Sequence, residues 1–139
     1  MQRYCLGFMF SQDYENVVLI KKESPDWMKG LLNGVGGKLL NAEDPLNGMK
    51  REFKEETGLQ HDSWTYFATI NGDDFEVICF TTTSNNYLAA RTVTPERIYI
   101  TPTNHVKMPN TEKYVHHVPA LIGCAIDKKL IQTVFYVNY

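Results

Sequence analysis

The sequence has few of the features that mark several large classes of protein. Its 139 residues include only three cysteines, Cys5, Cys79 and Cys124, which lie far apart. This odd number fits neither a disulfide framework nor a zinc knuckle, so we expect a reducing compartment. The formal net charge is only −2, and the lysines and arginines are scattered. Because such a chain has no basic field to grip a phosphate backbone, a nucleic-acid polymer is disfavoured as a partner.

Long apolar runs, internal repeats and low-complexity tracts are also missing. The first apolar stretch, residues 4–10, is broken by Ser11-Gln12-Asp13 and is too short for a signal peptide or a membrane span. We therefore expect a cytoplasmic protein with no membrane partner. The length and the 43% hydrophobic content fit one domain over residues 1–139. A chain of this size buries roughly two-thirds of its unfolded surface, so any metal would serve chemistry and not folding.

The pattern of apolar and turn residues predicts a mixed set of strands and helices, that is, an α+β fold. Two strand pairs are expected to be hairpins, the second because Asn71-Gly72 is a strong turn signal. Pro119 is the irregular member of the second helical pattern and favours a kink. In chain order, the predicted elements are strands at 4–10 and 17–20, a helix at 45–57, strands at 64–70, 75–82 and 97–100, a helix at 111–128 and a strand at 131–137.

The helix over residues 45–57 carries the most informative pattern. Asp44 is a good N-cap, Pro45 suits the first helical position and Gly58 suits the residue after the last turn. The apolar side chains of this helix share one stripe that can pack on a sheet. Before it, residues 23–26 carry a loop signal, and residues 30–37 form a glycine-bearing segment that leads into this helix.

Three carboxylates, Glu52, Glu55 and Glu56, fall on one surface of this helix, away from its apolar stripe. Like charges at this spacing destabilise a helix by a few tenths of a kcal/mol per pair, and a hard divalent cation would relieve the repulsion. Carboxylate oxygens favour magnesium, calcium or manganese. The alternative is a solvated acidic face with Lys50 and Lys54 as local partners.

The residues around these carboxylates decide between the two interpretations. In chain order they are Gly37, Glu43, Arg51-Glu52-Phe53, Glu55-Glu56 and Gly58-Leu59. This string resembles the 23-residue signature of the Nudix hydrolases at every specified position. Residues 33–38 resemble the segment before this signature in MutT-like hydrolases of nucleoside triphosphates and oxidised purine nucleotides. Residues 118–121 resemble the C-terminal helix of the same proteins.

The resemblance implies an α/β/α sandwich around a mixed sheet and a water attack on a diphosphate phosphorus. It implies that Glu52 and Glu56 bind the metal together with the main-chain carbonyl of Gly37 or Gly36. Glu55 would bind a further metal or help to activate water, and Glu52 is the other candidate base. Arg51 is expected to orient a carboxylate.

Two further acidic residues are weaker candidates for the metal site. Glu43 lies where some family members recruit another ligand. Glu96 is the nearest candidate for the acidic ligand that many members add from outside the signature. The expected ion is Mg²⁺, with Mn²⁺ as a substitute, because phosphoryl transfer needs negative charge neutralised on the phosphate oxygens.

Substrate choice in this family depends on residues outside the signature. Asn33 has an amide that suits a base edge, and Trp27, Tyr114 and His117 are candidates for an aromatic wall, together with Met28 and His116. Lys38 follows the glycine segment and is a further candidate contact. Each of them also has an ordinary structural interpretation: Asn33, for example, can simply cap the turn at Gly34.

The leading functional prediction is hydrolysis of a nucleoside triphosphate, with or without a modified base, to monophosphate and pyrophosphate. Where oxidised-purine hydrolases carry an acidic pair, this chain has only Glu112, which speaks against that specialisation. An ADP-ribose, nucleotide-sugar or dinucleotide pyrophosphatase would use the same signature, although the proline typical of ADP-ribose hydrolases is absent from residues 60–75. A binding module without catalysis is the rival from another class, and it usually has a damaged signature. A homodimer is common in the family, but no residue here argues for one.

Overall fold

A computed structural model describes residues 1–106, 111–127 and 133–137. Within them, two helices, four short 3₁₀ turns and eight strands are present, and the strands form one sheet. In chain order the elements are β1 (Gln2–Phe10), β2 (Asn16–Lys21), β3 (Leu32–Asn33), β4 (Val35–Lys38), α1 (Pro45–Thr57), β5 (Thr65–Asn71), β6 (Phe75–Thr83), β7 (Ile98–Pro102), α2 (Val118–Ile126) and β8 (Thr133–Tyr136).

The sheet is mixed, as the family resemblance implied. Its main path runs β3-β2-β1-β6-β5-β8, while β4 pairs with β1 and β7 pairs with β2. The two predicted hairpins, β1–β2 and β5–β6, are both antiparallel. The pairs β1–β6 and β5–β8 are parallel.

Strand β1 separates two layers of core because successive side chains of a strand point to opposite faces. Leu6, Phe8 and Phe10 pack in a cluster that contains the buried residues of α2. Cys5 and Met9 pack in a second cluster with Met49 and Phe53 of α1. The two helices therefore cover opposite faces of the sheet, which confirms the predicted α/β/α sandwich.

The prediction for the second helix was wrong at its start. Residues 111–113 form a separate 3₁₀ turn and α2 begins at Val118, with Pro119 in its first turn. Because proline lacks an N–H and clashes with a preceding helical turn, it starts this helix and does not kink it. The predicted end, residue 128, lies outside the described residues, as do residues 131 and 132 of the closing strand.

The glycine-bearing segment 30–37 belongs largely to the sheet. It contains β3 and most of β4, and β4 pairs with β1 in the register Gly37 opposite Cys5 and Gly36 opposite Leu6. These short strands place the start of the signature directly on the sheet. In the described parts of the chain, no helix has both the length and the apolar character that a bilayer crossing requires.

Candidate active site

Helix α1 is fixed by the residues that the sequence indicated. The carboxylate of Asp44 accepts a hydrogen bond from the Asn47 amide at 3.2 Å, and Pro45 is the first helical residue. Gly58 ends the helix with a φ of 74°, a left-handed conformation that glycine adopts without strain. Met49 and Phe53 are fully buried beneath the helix. The signature carboxylates therefore stand on an element whose position is set by the core.

Glu52 lies deeper than an exposed acidic face would place it, since the residue is only 8% exposed. The space for its carboxylate exists because Gly37 has no side chain. A Cβ on Gly37 would lie 2.7 Å from Glu52 Oε2 and 2.8 Å from Oε1. Strand β4 and helix α1 thus meet through a glycine and a carboxylate.

Arg51 holds the acidic residues together. Its Nε and Nη2 donate to the two oxygens of Glu43 at 2.8 and 2.9 Å, a bidentate pair. Its Nη1 donates to Glu52 Oε1 at 2.9 Å and to Glu55 Oε2 at 3.2 Å. Its Nη2 also reaches the carbonyl of Lys38 at 3.1 Å. Arg51 therefore contacts three carboxylates at once, and its role in orienting them for function stays a prediction.

Glu43 has a more definite place than the sequence indicated. In addition to the pair with Arg51, its Oε1 accepts a hydrogen bond from the Leu40 amide at 3.0 Å. The hydrogen bond from Arg51 lowers the pKa of Glu43 to about 2. Glu43 is thus an ionised anchor for Arg51 throughout the neutral range.

Glu52 and Glu56 are perturbed in the opposite direction. Burial raises the pKa of Glu52, and the hydrogen bond from Arg51 only partly opposes it. Burial also raises the pKa of Glu56, and the negative charge of Glu96 adds to the shift. Two partly desolvated carboxylates with raised pKa values are typical of a site that binds a cation or handles protons.

Glu96 lies near Glu56 but is engaged by other groups. Its oxygens accept hydrogen bonds from Lys22 Nζ at 3.2 Å and from the Glu23 amide at 2.6 Å. Thr94 lies between the two acids, and its hydroxyl is 3.2 Å from Glu56 Oε2. Neither Lys22 nor Thr94 was predicted as a site residue, although a threonine two residues before Glu96 is a known pattern for a side-chain turn.

In this arrangement the carboxylates of the signature are not gathered around a common point. Among the described residues, no three His, Cys, Asp or Glu side chains stand where they could hold a metal ion together. The reason is visible at Arg51, which holds Glu52 and Glu55 on its own nitrogens. The donor set of carboxylate oxygens nevertheless fits a hard divalent cation, and Gly37 leaves room beside Glu52.

Four of the candidate substrate contacts lie together in two pairs, Asn33 with His117 and Trp27 with His116. Asn33 is buried, and its Oδ1 accepts from the Gly34 amide at 2.8 Å and lies 3.4 Å from His117 Nε2. Burial, with a smaller effect of His116, lowers the pKa of His117 to about 4, so its ring is neutral at pH 7. Trp27 is half exposed, and its ring centre lies 6.0 Å from that of His116.

Tyr114 and Lys38 have other surroundings. Tyr114 is a buried member of the core, and its hydroxyl is 3.4 Å from the carbonyl of His105. The core accounts for this ring without a ligand. Lys38 is exposed at the end of β4, and its carbonyl accepts a hydrogen bond from Arg51. The roles of all these residues toward a substrate stay predictions.

A cleft of about 1000 Å³ lies away from the signature. It is formed by one side of α2, the β1–β2 loop and the end of β7, and its described lining includes none of the signature carboxylates. Strand β2 runs from this cleft at Asn16 toward Lys22 beside Glu96, a span of roughly 20 Å at 3.4 Å per residue. The cleft and the signature carboxylates are therefore separate places on the molecule.

Comparison with known proteins agrees with this geometry. The profile of the NUDIX domain matches residues 2–116. No curated protein matches the chain. The MutT protein from Bacillus halodurans superposes with a TM-score of 0.75 at 18% identity, over 99% of this chain and 91% of that one. The NUDIX domain of NrtR from Shewanella oneidensis, in complex with ADP ribose, gives 0.75 at 16% identity over 91% and 87%.

A third structure, the MutT NUDIX hydrolase from Burkholderia pseudomallei, gives a TM-score of 0.71 at 17% identity, over 88% of this chain and 96% of that one. At these identities the superpositions show a shared fold. The profile match extends over most of the chain and includes the whole of α1 and the strand that faces it. The chain belongs to the Nudix family of hydrolases.

Proposed function

We propose that this Nudix hydrolase uses Mg²⁺ to hydrolyse a nucleoside triphosphate to the monophosphate and pyrophosphate. The observation that carries the proposal is the carboxylate of Glu52, which is buried against Gly37 and oriented by Arg51. Glu55 and Glu56 follow within one turn of the same helix. An intact set of this kind favours catalysis over a binding module without activity.

The metal would be held by Glu52 and Glu56, with the main-chain carbonyl of Gly37 as a third donor. When bound, Mg²⁺ supplies neutralisation of charge on the phosphate oxygens. In the present side-chain arrangement Arg51 engages Glu52 and Glu55, so binding requires that carboxylate side chains turn toward the ion. Mn²⁺ is expected to substitute because it prefers the same oxygen ligands.

The residues around the metal have separate tasks. Arg51 keeps Glu52 in place, and Glu43 in turn keeps Arg51 in place. The side chain of Glu55 is 57% exposed, against 11% for Glu52. Glu55 is therefore the carboxylate on the solvent side, and this exposure supports Glu55 over Glu52 as the group that would accept a proton from an attacking water.

A second candidate function is hydrolysis of ADP-ribose or a nucleotide sugar. It is favoured by the NrtR domain, whose structure contains ADP ribose and superposes on this chain as well as the first MutT structure does. The signature chemistry is the same in both cases. Only the products distinguish the two functions.

Product analysis tests the proposal directly. The protein is incubated with Mg²⁺ and a panel of nucleoside triphosphates, nucleotide sugars, ADP-ribose and dinucleoside polyphosphates, and the products are separated by ion-exchange chromatography. We expect monophosphate and pyrophosphate from a triphosphate. Two phosphorylated organic products from ADP-ribose, with triphosphates left intact, would support the second candidate. No turnover of any compound would support a binding module.

The variant Glu56→Gln tests the site itself. We expect it to reduce kcat by at least about 1000-fold with the fold retained, because it removes a metal-binding charge and not a core contact. The unfolding temperature is expected to stay or rise slightly, since a partly buried charge next to Glu96 is lost. Glu76→Gln is the matched control, because Glu76 pairs with Arg3 at 3.5 Å and, among the described residues, no contact joins it to the signature carboxylates. Activity of Glu56→Gln within tenfold of the parent would contradict the assignment.

A further inference from the structure

The segment from Arg91 to Arg97 runs beside the end of α1, and its two ends are fixed by main-chain hydrogen bonds. The Arg91 amide donates to the carbonyl of Thr57 at 3.0 Å. The carbonyl of Arg97 accepts from the Lys21 amide at 2.8 Å. The main chain alone therefore brings the middle of the segment close to Glu56, independently of the side-chain contacts in it.

Thr94 makes the side-chain contact across this gap. Its Oγ1 lies 3.2 Å from Glu56 Oε2, 3.3 Å from the carbonyl of Glu96 and 3.1 Å from the Glu96 amide. A hydroxyl accepts from the amide but has only one proton to donate. The carboxylate of Glu56 is the stronger acceptor because a charged partner roughly doubles the strength of the bond.

The charges around Glu56 explain why a hydrogen bond from Thr94 would stabilise the position of its carboxylate. Glu56 and Glu96 are like charges close together, and Lys22 forms an ion pair with Glu96 and offsets the charge of Glu56 more weakly. A Glu side chain has three rotatable bonds, so repulsion alone would turn Glu56 away from the segment. The Thr94 hydroxyl holds one of its oxygens in place.

We propose that Thr94 is a positioning residue, which fixes the Glu56 carboxylate for cation binding and links it to the segment that carries Glu96. This inference rests on the proposed function, since it concerns the metal ligands of that site. Thr94 touches neither the substrate nor the reacting atoms in this role. Its effect is therefore expected on metal affinity more than on the maximal rate.

The test compares four proteins in the absence of nucleotide. They are the parent, Thr94→Val, Thr94→Ser and Thr92→Val. The valine at position 94 keeps the shape and removes the hydroxyl, and serine restores the hydroxyl. Thr92 is the matched control because its hydroxyl accepts from the Ile98 amide at 2.9 Å in the same segment, and no contact joins it to Glu56 among the described residues.

Binding is followed as the loss of the free Mn²⁺ signal in electron paramagnetic resonance, and unfolding temperatures are recorded in parallel. We expect Thr94→Val to bind Mn²⁺ about tenfold more weakly, as is common when a group that orients a ligand is removed. Thr94→Ser should recover most of the affinity and Thr92→Val should bind as the parent does. In a separate assay with the best substrate of the product panel, saturating Mn²⁺ should restore most of the kcat of Thr94→Val.

Two results would overturn the inference alone: parent-like affinity in Thr94→Val, or an equal loss in Thr92→Val, which would assign the effect to the segment as a whole. A different result would overturn the proposed function. That result would be that the parent protein binds no Mn²⁺, or that the Glu56→Gln variant binds Mn²⁺ as well as the parent does.

Discussion

In strand β4, alanine in place of Gly36 should lower stability, whereas alanine in place of the adjacent Gly37 should lower activity. A Cβ on Gly36 would lie 2.0 Å from the carbonyl oxygen of Cys5 and 2.9 Å from Cα of Leu6, both of which are backbone atoms of β1. A Cβ on Gly37 would instead meet the carboxylate of Glu52 at 2.7 Å. The first neighbour is fixed in the sheet, whereas the second is the end of a flexible side chain.

The distances set the expected magnitudes. A carbon and an oxygen approach to about 3.3 Å in ordinary contacts, so Gly36→Ala has to part β4 from β1 by roughly 1.3 Å and lose hydrogen bonds between them. We expect a loss of about 3 kcal/mol in the free energy of unfolding, or roughly 10 °C in Tm. In Gly37→Ala the carboxylate moves by less than about 1 Å, and alanine lowers the entropy of the unfolded chain. Its stability should change by less than about 1 kcal/mol, yet displacing Glu52 should cost about 100-fold in kcat/KM.

Thermal unfolding by circular dichroism and pyrophosphate release measure the two effects on the same samples. Gly123→Ala is the control, since nothing lies within 4 Å of the added Cβ and the residue is helical. It should keep full activity and gain a few tenths to about 1 kcal/mol of stability. The reasoning is refuted if Gly37→Ala folds with activity within threefold of the parent, or if Gly36→Ala is as stable as the parent.

Further predictions concern substrate choice and acid stability. Asn33→Ala should lower kcat/KM about ten- to a hundredfold on the best nucleotide, and much less on one with an altered base, if the amide reads the base. An equal loss on both nucleotides, or a loss of stability alone, would instead reflect the hydrogen bonds to Gly34 and His117. For Glu43 the pKa in the folded protein is depressed to about 2 from 4.5, so its stabilising pairing with Arg51 is present above pH 4.5 and is lost as the pH falls toward 2. Urea titrations of the parent and Glu43→Gln should therefore differ most above pH 4.5 and converge near pH 2, and a difference that does not change with pH would contradict the pairing.

Local signals predicted most of the fold. The cap at Asp44, the glycine at position 58 and the turn at Asn71-Gly72 each act within a few residues, so the sequence reveals them. The parallel pairing of β1 with β6 joins residues more than 70 positions apart and leaves no local trace. The same holds for the pairing of β4 with β1, which joins residues about 30 positions apart.

Some features of the candidate site could also be predicted from the sequence, and others could not. The spacing of Glu52, Glu55 and Glu56 places them together because they share one helix. The burial of Glu52 could not be predicted, since it depends on Gly37 in a different element. The contact between Thr94 and Glu56 joins residues 38 positions apart and depends on how the chain returns beside α1.

The central position of strand β1 affects how the protein unfolds. Its nine residues pair with β6 along their whole length, with β4 near the start and with β2 near the end. The same residues fill both hydrophobic clusters alternately. A shift of β1 by one position would turn every side chain to the wrong face. We therefore expect the α1 layer, the α2 layer and the sheet that supports the carboxylates to unfold together as one cooperative unit.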